Sequence, residues 1–110
     1  MRVLVINSDS MGRGDVELGQ KLIGSFLRKL WARGDGPDAI VFYNSGVKLL
    51  ARGSTVLDAL EGLANAGVDL LACGTCVSFF SLKDSLAVGR VSDMGEIAEL
   101  LMTADQTVTL

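Results

Sequence analysis

Apolar residues follow two alternating patterns along this chain. Short, nearly unbroken apolar runs are typical of strands buried on both faces, and apolar residues that return every three or four positions are typical of helices with one buried face. The unbroken runs predict five strands, at 2–7, 38–43, 68–72, 88–91 and 106–110. Periodic stretches lie between most of them and predict helices, so that strands and helices alternate along the chain.

The longest predicted helix follows Asp15, a residue type that caps helix N-termini well, and ends at the glycine-rich turn 34–37. Its apolar face is expected to comprise Leu18, Leu22, Ile23, Phe26, Leu27 and Leu30. Gly24 lies in the middle of this helix, where glycine is unfavourable. We therefore expect another element to pack closely against it.

Capping signals predict two further helices. Ser54 or Thr55 is expected to cap one of them, and Asp58 completes a capping box if Thr55 is the cap. Asp93, with a glutamate three residues later, has the same arrangement before a helix at 94–103.

Strands that alternate with helices and are apolar on both faces predict an α/β fold with a parallel sheet. We expect a three-layer α/β/α arrangement with a mainly parallel sheet of about five strands, forming a single domain over residues 1–110. In such sheets, ligands bind beyond the carboxyl ends of the strands. The loops expected at that rim are 8–14, 44–46 and 73–76.

Both cysteines of the protein lie in the last of these loops, in the sequence Cys73-Gly74-Thr75-Cys76. The chain contains no histidine, which excludes a Cys–His catalytic pair within one chain. Two thiols at this spacing favour redox, metal or persulfide chemistry. Cys76 is expected to be the better nucleophile and Cys73 the more buried thiol, although a shift of one residue in the turn would reverse this assignment.

The expected reactivity of the thiols depends on a helix that starts after the turn, in the stretch 77–86. Backbone N–H groups at a helix start stabilise a thiolate and lower its pKa. We expect this effect at Cys76, helped by the positive charge of Arg13 or Lys83.

Arg13 lies in the first loop, 7–14, which supplies two glycines of a dinucleotide-binding fingerprint. A glutamate stands at the third glycine position and no Gly-Lys-Ser/Thr sequence follows, so a phosphate-binding loop is not supported. A flexible connection between strand and helix is the simpler interpretation. If the loop takes part in chemistry, Arg13 is the residue that would meet an anionic sulfur, and Asn44 and Thr75 are the other substrate-binding candidates at this rim.

Other interpretations of the cysteine turn are available. Free cysteines are often simply packed in a core. A structural zinc site needs four ligands, so two thiols without histidine predict no metal unless two subunits share one. A thioredoxin-like oxidoreductase is disfavoured, because the only proline is Pro37 and the cis-proline that faces the dithiol in that family is missing.

Composition narrows the range of partners. The chain has 10 Lys+Arg against 13 Asp+Glu and only 5% aromatic residues, so nucleic acid is not an expected partner. No apolar run reaches the roughly 18 residues that span a membrane, and Met1-Arg2 leads into a strand and not into a secretory signal. We expect a cytoplasmic protein. Because 49% of the residues are hydrophobic, we also expect a homo-oligomer, a dimer or trimer.

Several motifs together resemble a known family. They are the opening strand, the stretch Met-Gly-x-Gly-Asp-x-Glu-Leu-Gly at 11–19, the Cys-Gly-Thr-Cys turn, Leu82-Lys83-Asp84, Val-Gly-Arg-Val-Ser-Asp-Met at 88–94 and Ala104-Asp105. They resemble the DsrE/DsrF-like sulfur-relay family, and within it the DsrE-like domain of YedF-type, sulfurtransferase-like selenium-metabolism proteins. The resemblance implies a three-layer α/β/α domain, commonly homo-oligomeric, in which a cysteine at the end of a central strand carries sulfur as a persulfide.

The resemblance assigns that role to Cys73 and Cys76 without deciding which of them bears the sulfur. It implies a sulfurtransferase, or a sulfur or selenium carrier, that exchanges sulfur with donor and acceptor proteins or small thiols, and we expect no cofactor. The alternative is a non-catalytic oligomeric binding module of the same fold. YedF-type proteins often carry a TusA-like domain with a Cys-Pro motif ahead of this one, and the present sequence contains no such motif.

Overall fold

Five strands and four α-helices alternate along the chain in the computed structural model, which describes residues 1–110. The strands are β1 (Arg2–Ile6), β2 (Ala39–Phe42), β3 (Asp69–Cys73), β4 (Arg90–Ser92) and β5 (Gln106–Thr109). The helices are α1 (Val16–Arg33), α2 (Leu57–Asn65), α3 (Gly74–Phe79) and α4 (Met94–Thr103), and a 3₁₀ helix at Asn44–Leu50 lies between β2 and α2. The predicted strands are confirmed, with ends that differ by one or two residues.

All five strands are parallel and lie in the order β4-β3-β2-β1-β5. The chain builds the sheet outward from β1 to β4, and then returns past β1 to add β5 at the other edge. Every residue of β2 is buried, as are all but the first residues of β1 and β3, whereas β5 is exposed along its length. The sheet therefore has the α/β architecture that the alternation of elements predicted.

Helices cover both faces of the sheet, but unequally. On one face α1, α2, the 3₁₀ helix and part of α3 enclose a core of 17 buried residues. On the other face α4 packs alone, over a core of seven buried residues that includes Ile97 and Cys73. The division follows from right-handed crossovers, because the connections from β1 to β4 run in one direction along the sheet and the connection to β5 runs in the other.

Two of the predicted helix caps are confirmed. The carboxylate of Asp15 accepts a hydrogen bond from the Leu18 N–H at 2.7 Å, and that of Asp93 accepts one from the Glu96 N–H at 2.8 Å. Both caps follow from neighbouring residues in the sequence, so a local signal is sufficient to predict them.

The predicted capping of α2 by Ser54 or Thr55 is wrong. The helix begins at Leu57, and its N-cap residue is Val56, which makes no side-chain cap. The Ser54 hydroxyl accepts a long hydrogen bond, 3.4 Å, from the Val56 N–H ahead of the helix and not from an N–H within it. Contacts with α1 also hold this backbone: Val56 is fully buried, and the Thr55 carbonyl accepts a hydrogen bond from the Arg28 guanidinium at 2.7 Å. A Cβ at Gly24 would lie 3.4 Å from Val56 Cγ1, which confirms the close packing expected there.

Helix α1 buries only part of its predicted apolar face. Ile23 and Leu27 are fully buried, whereas Leu18 and Leu22 are 55% and 46% exposed. None of the helices, α1 included, is long and apolar enough to cross a membrane.

Candidate functional site

Both cysteines lie at the carboxyl end of β3. Cys73 is the last residue of β3 and the residue that precedes α3, and it is 1% exposed in the core beneath α4. Cys76 is the third residue of α3, is partly exposed, and packs against the cores on both faces of the sheet. Both are free thiols. The prediction that Cys73 is the more buried of the two is confirmed.

The cysteine turn lies at the point where connections leave the sheet in opposite directions. Helix α3, after β3, packs toward the face covered by α1 and α2, whereas α4, after β4, covers the other face. Cys73 and Ser92 are opposite each other at the ends of these two strands. In open parallel sheets such a switch point forms the crevice in which ligands bind. A Cβ at Gly74 would lie 2.9 Å from the Ser92 carbonyl oxygen, so glycine is needed for this close approach.

A backbone N–H from the end of β2 contacts the Cys76 thiol. The N–H of Asn44 donates a hydrogen bond to Cys76 Sγ at 3.0 Å. Asn44 has a φ of 51°, in the left-handed region that asparagine tolerates better than most residues. Its side-chain Oδ1 accepts a hydrogen bond from the Ser45 N–H at 2.8 Å. The hydrogen bond from the Asn44 N–H to Cys76 Sγ therefore links the residues that follow β2 to those that follow β3.

The segment that carries Asn44 is fixed against the end of β1. The Tyr43 N–H donates to the Ile6 carbonyl at 3.2 Å, and the Gly46 N–H donates to the Tyr43 carbonyl at 3.1 Å. A Cβ at Gly46 would lie only 2.3 Å from the Ile6 carbonyl oxygen. The start of the 3₁₀ helix can therefore rest on β1 only because residue 46 is glycine.

The Cys76 side chain faces an open cleft of about 320 Å³. The cleft is lined by Asn44, Thr75, Cys76, Phe79 and Phe80, and no charged side chain is among them. The Phe79 and Phe80 rings pack edge to face with centroids 5.1 Å apart, and Phe79 is 81% exposed. A cleft of this kind suits a small apolar or uncharged group attached to a reacting sulfur.

The positive charge of Lys48 lies close to one of the aromatic rings that line the cleft. The Lys48 ammonium lies 4.5 Å from the centroid of the Phe80 ring. This distance is within the range of a cation–π interaction, so Lys48 orders the aromatic wall without entering the cleft.

Burial raises the pKa of the Cys76 thiol above its ordinary value. The hydrogen bond from the Asn44 N–H opposes this effect, and the neighbouring Cys73 thiol adds to the rise. The expectation that a helix start lowers the pKa of Cys76 is therefore wrong. Helix α3 begins at Gly74, between the two cysteines and not after them, so Cys76 lies inside its first turn and the desolvation of its sulfur dominates.

The structure brings together some of the predicted site residues and not others. Asn44 and Thr75 line the cleft with Cys76. Arg13 is exposed in the loop before α1, and Lys83 is exposed after α3, and neither lines the cleft.

Sequence reasoning missed the contact between the Asn44 backbone and the Cys76 sulfur. The two residues are 32 positions apart, and the contact depends on the pairing of β2 with β3. The sequence Asn44-Ser45-Gly46 favours a turn with left-handed backbone, so the turn itself could be predicted. Its contact with Cys76 could not be predicted from these neighbouring residues.

No group of three or more His, Cys, Asp or Glu side chains lies close enough to hold a metal ion. Within one chain the two thiols are the only soft ligands near the cleft. A metal shared between two subunits stays a prediction.

Comparison with known proteins identifies the family. The sequence model of the DsrE/DsrF-like family matches residues 24–110, which include β2 to β5 and both cysteines. The chain belongs to the DsrE/DsrF-like family. The closer resemblance to YedF-type proteins stays a prediction. No curated protein sequence matches the chain significantly.

Solved structures share the fold over the full length of the chain. The YchN protein from E. coli is 18% identical, with all of both chains covered and a TM-score of 0.68. MTH1491 from Methanobacterium thermoautotrophicum, described as a protein of unknown function, is 24% identical, with 99% of this chain and 97% of that chain covered and a TM-score of 0.72. BT1422 from Bacteroides thetaiotaomicron, also described as of unknown function, is 17% identical, with 99% and 94% covered and a TM-score of 0.68. At these identities the likeness establishes the fold alone.

Proposed function

We propose that this protein is a sulfurtransferase or sulfur carrier that holds sulfane sulfur as a persulfide on the Cys73–Cys76 turn. The observation that carries the proposal is the pair of free thiols at the switch point of the sheet, one open to a cleft and the other buried behind it. Membership of a family associated with sulfur relay supports it. Selenium, the heavier analogue of sulfur, is a second cargo that the same chemistry accepts.

In the loading step, the Cys76 thiolate attacks the terminal sulfur of a donor persulfide, R–S–SH. A new S–S bond forms at Cys76, the S–S bond of the donor breaks, and R–S⁻ leaves, so that Cys76 becomes Cys76–S–SH. The exposure of Cys76 to the cleft supports its assignment as the attacking thiol. The cleft has room for the thiol end of a donor protein or for a small thiol.

Two routes release the sulfur. An acceptor thiolate attacks the terminal sulfur and takes it away as a new persulfide, which restores the Cys76 thiolate. Alternatively, the Cys73 thiolate attacks Cys76 Sγ, which forms a Cys73–Cys76 disulfide and expels hydrosulfide. An external dithiol must then reduce the disulfide before the next cycle. The interaction between the two thiols supports the second route.

Mass spectrometry of the intact protein tests the proposal. After incubation with a donor persulfide and removal of excess donor, the wild-type chain should gain one sulfur atom, about 32 Da. The variant with Cys73→Ser and Cys76→Ser should gain nothing. Absence of the gain in the wild type, when a control carrier protein gains it under the same conditions, would reject the proposal.

A second candidate function is a non-catalytic oligomeric binding module. It is favoured by the exposed Phe79 ring beside the cleft and by the raised pKa of Cys76, neither of which sulfur transfer requires. The double serine variant separates the two functions. A module should keep partner binding and cellular function without thiols, whereas a carrier should lose its function.

A further inference from the structure

The Cys76 sulfur accepts a hydrogen bond from a backbone N–H outside the cysteine turn, that of Asn44. We propose that Asn44 is a positioning residue for Cys76, and that its left-handed backbone holds the N–H against Sγ, where it stabilises the thiolate. The role in sulfur loading rests on the proposed function, but the effect on thiol acidity does not.

The φ angle of Asn44 sets how the end of β2, which carries this N–H, is joined to the 3₁₀ helix that follows. The peptide plane that carries the N–H also carries the Tyr43 carbonyl, which accepts a hydrogen bond from the Gly46 N–H at 3.1 Å, and the Tyr43 N–H one plane earlier donates to the Ile6 carbonyl at 3.2 Å. The 3₁₀ helix on the other side of Asn44 is fixed by the close approach of Gly46 to the same carbonyl. A φ of 51° joins these two fixed pieces. A residue that avoids the left-handed region must move one of them, and either movement displaces the N–H from Sγ.

The Asn44 side chain supports the same conformation. Its Oδ1 accepts a hydrogen bond from the Ser45 N–H at 2.8 Å, and Ser45 Oγ accepts one from the Asp9 N–H at 3.2 Å. The turn is therefore tied to the loop after β1. Asparagine and glycine are the residues that adopt left-handed φ most readily, whereas β-branched residues adopt it least.

The N–H of Asn44 is the contact that favours the thiolate at this site. Burial of the sulfur and the neighbouring Cys73 thiol both disfavour it. No charged side chain lines the cleft, and the Lys48 ammonium of the 3₁₀ helix lies 4.5 Å from the centroid of the Phe80 ring. A donated hydrogen bond to a charged sulfur acts at short range, so its loss should raise the pKa of the thiol.

The test compares Asn44→Gly with Asn44→Val in a Cys73→Ser background, where Cys76 is the only thiol. The measured quantity is the rate of iodoacetamide alkylation as a function of pH. Asn44→Val should raise the pH midpoint by about one unit, since a hydrogen bond to a charged group is worth roughly that much. At neutral pH the thiolate fraction of Cys76 then falls about tenfold. Because a thiolate of higher pKa is intrinsically more nucleophilic, the alkylation rate should fall less, about fourfold. Asn44→Gly should keep the midpoint of the parent.

Ser81 provides a matched control. It also has a left-handed φ, of 56°, and it follows α3 on the same side of the sheet without lining the cleft. Ser81→Val should destabilise the fold to a similar degree but leave the pH midpoint of Cys76 unchanged. Circular dichroism confirms that each variant is folded, and Asn44→Ala replaces Asn44→Val if the valine variant does not fold.

An unchanged midpoint in folded Asn44→Val or Asn44→Ala would overturn the proposal, as would an equal rise in Asn44→Gly or in Ser81→Val. Persulfide loading of the same proteins separates this proposal from the function. If the midpoint shifts as expected but even the parent protein takes up no sulfur, Asn44 positions Cys76 and the carrier function is wrong.

Discussion

The two thiols of the site differ in burial. Cys76 is accessible from the cleft, and burial raises the pKa of its thiol. Cys73 is enclosed beneath α4. Single-cysteine variants therefore allow each property to be measured separately.

Alkylation of Cys76 in the Cys73→Ser variant should keep accelerating as the pH rises past the ordinary thiol value. In the folded protein, Cys73 of the Cys76→Ser variant should be alkylated more slowly than Cys76 of the Cys73→Ser variant. When denaturant unfolds the two proteins, their alkylation rates should become similar. Because folding raises the pKa of Cys76, the folded state favours the protonated thiol. The free energy of unfolding should therefore fall as the pH rises from the ordinary thiol pKa through the pKa of Cys76 in the folded state. Labelling rates followed by mass spectrometry check both thiols. A rate for Cys76 that levels off near neutral pH would contradict this account.

Gly46 is the residue whose replacement should disturb the site most without changing its chemistry. A Cβ there would lie 2.3 Å from the Ile6 carbonyl oxygen, which is backbone and cannot rotate away. Gly46→Ala should lower the free energy of unfolding by about 1–3 kcal/mol, as overpacking does in cores. Gly36→Ala is the matched control, because its nearest neighbours are side-chain atoms at 3.3 and 3.4 Å. Urea denaturation of both variants measures the difference, and equal stabilities would show that the 3₁₀ helix shifts freely.

At the scale of elements, Arg90 joins β4 to its two neighbours. Its guanidinium forms paired hydrogen bonds of 2.9 to 3.0 Å with Asp69 at the start of β3 and with Glu96 in the first turn of α4. Glu96 also accepts a hydrogen bond from the Ser92 hydroxyl. These contacts hold the three-residue strand β4 and α4 beside Cys73.

The pKa of Glu96 is lowered from 4.5 to about 2, first by the hydrogen bonds from Arg90 and then by that from Ser92. Because folding depresses this pKa, the stabilisation is present above pH 4.5 and is lost as the pH falls through about 2. Glu96→Gln should be less stable than the wild type at pH 7, and the difference should shrink as the pH approaches 2. Urea denaturation at pH 7, 4.5 and 2.5 measures this. A difference that does not depend on pH would contradict the pairing.

The sequence predicts elements well where the signal is local. The caps at Asp15 and Asp93 and the alternation of strands and helices follow from residues close together in the chain. The start of α2 was predicted wrongly because the burial of Val56 against α1 overrides the local capping signal. The pKa of Cys76 was predicted wrongly for the same kind of reason, since it depends on burial and on the backbone of Asn44 in another element.

At the scale of the whole molecule, the sheet is covered unevenly and several large apolar side chains are exposed. These are Val16, Leu18, Leu22, Trp31, Phe79, Val91, Met94, Met102 and Val108, with Met1 at the start of the chain. Contiguous exposed apolar surface is typical of surfaces that meet a partner, and Leu18 and Leu22 lie one turn apart on α1. We propose that copies of the chain cover part of it in a dimer or trimer.

Analytical sedimentation at micromolar concentration checks the oligomer. The expected species has two or three times the mass of the 11.6 kDa chain. Substitution of both Leu18 and Leu22 by lysine should shift the distribution toward the single chain if α1 lies in the interface, with Lys29→Ala on the same helix as a control. A wild-type protein that sediments only as an 11.6 kDa species would exclude the oligomer.

A labelled sulfur atom, followed through the cysteine turn, tests directly whether Cys76 carries sulfane sulfur. The wild type, Cys73→Ser and Cys76→Ser proteins are incubated with a donor persulfide whose outer sulfur is isotopically heavy, and peptides are then sequenced by mass spectrometry before and after an acceptor thiol is added. We expect heavy sulfur on Cys76 in the wild type and in Cys73→Ser, its loss to the acceptor, and little label in Cys76→Ser. Label on neither cysteine, while a control carrier protein acquires it, would show that the cysteine turn does not carry sulfur.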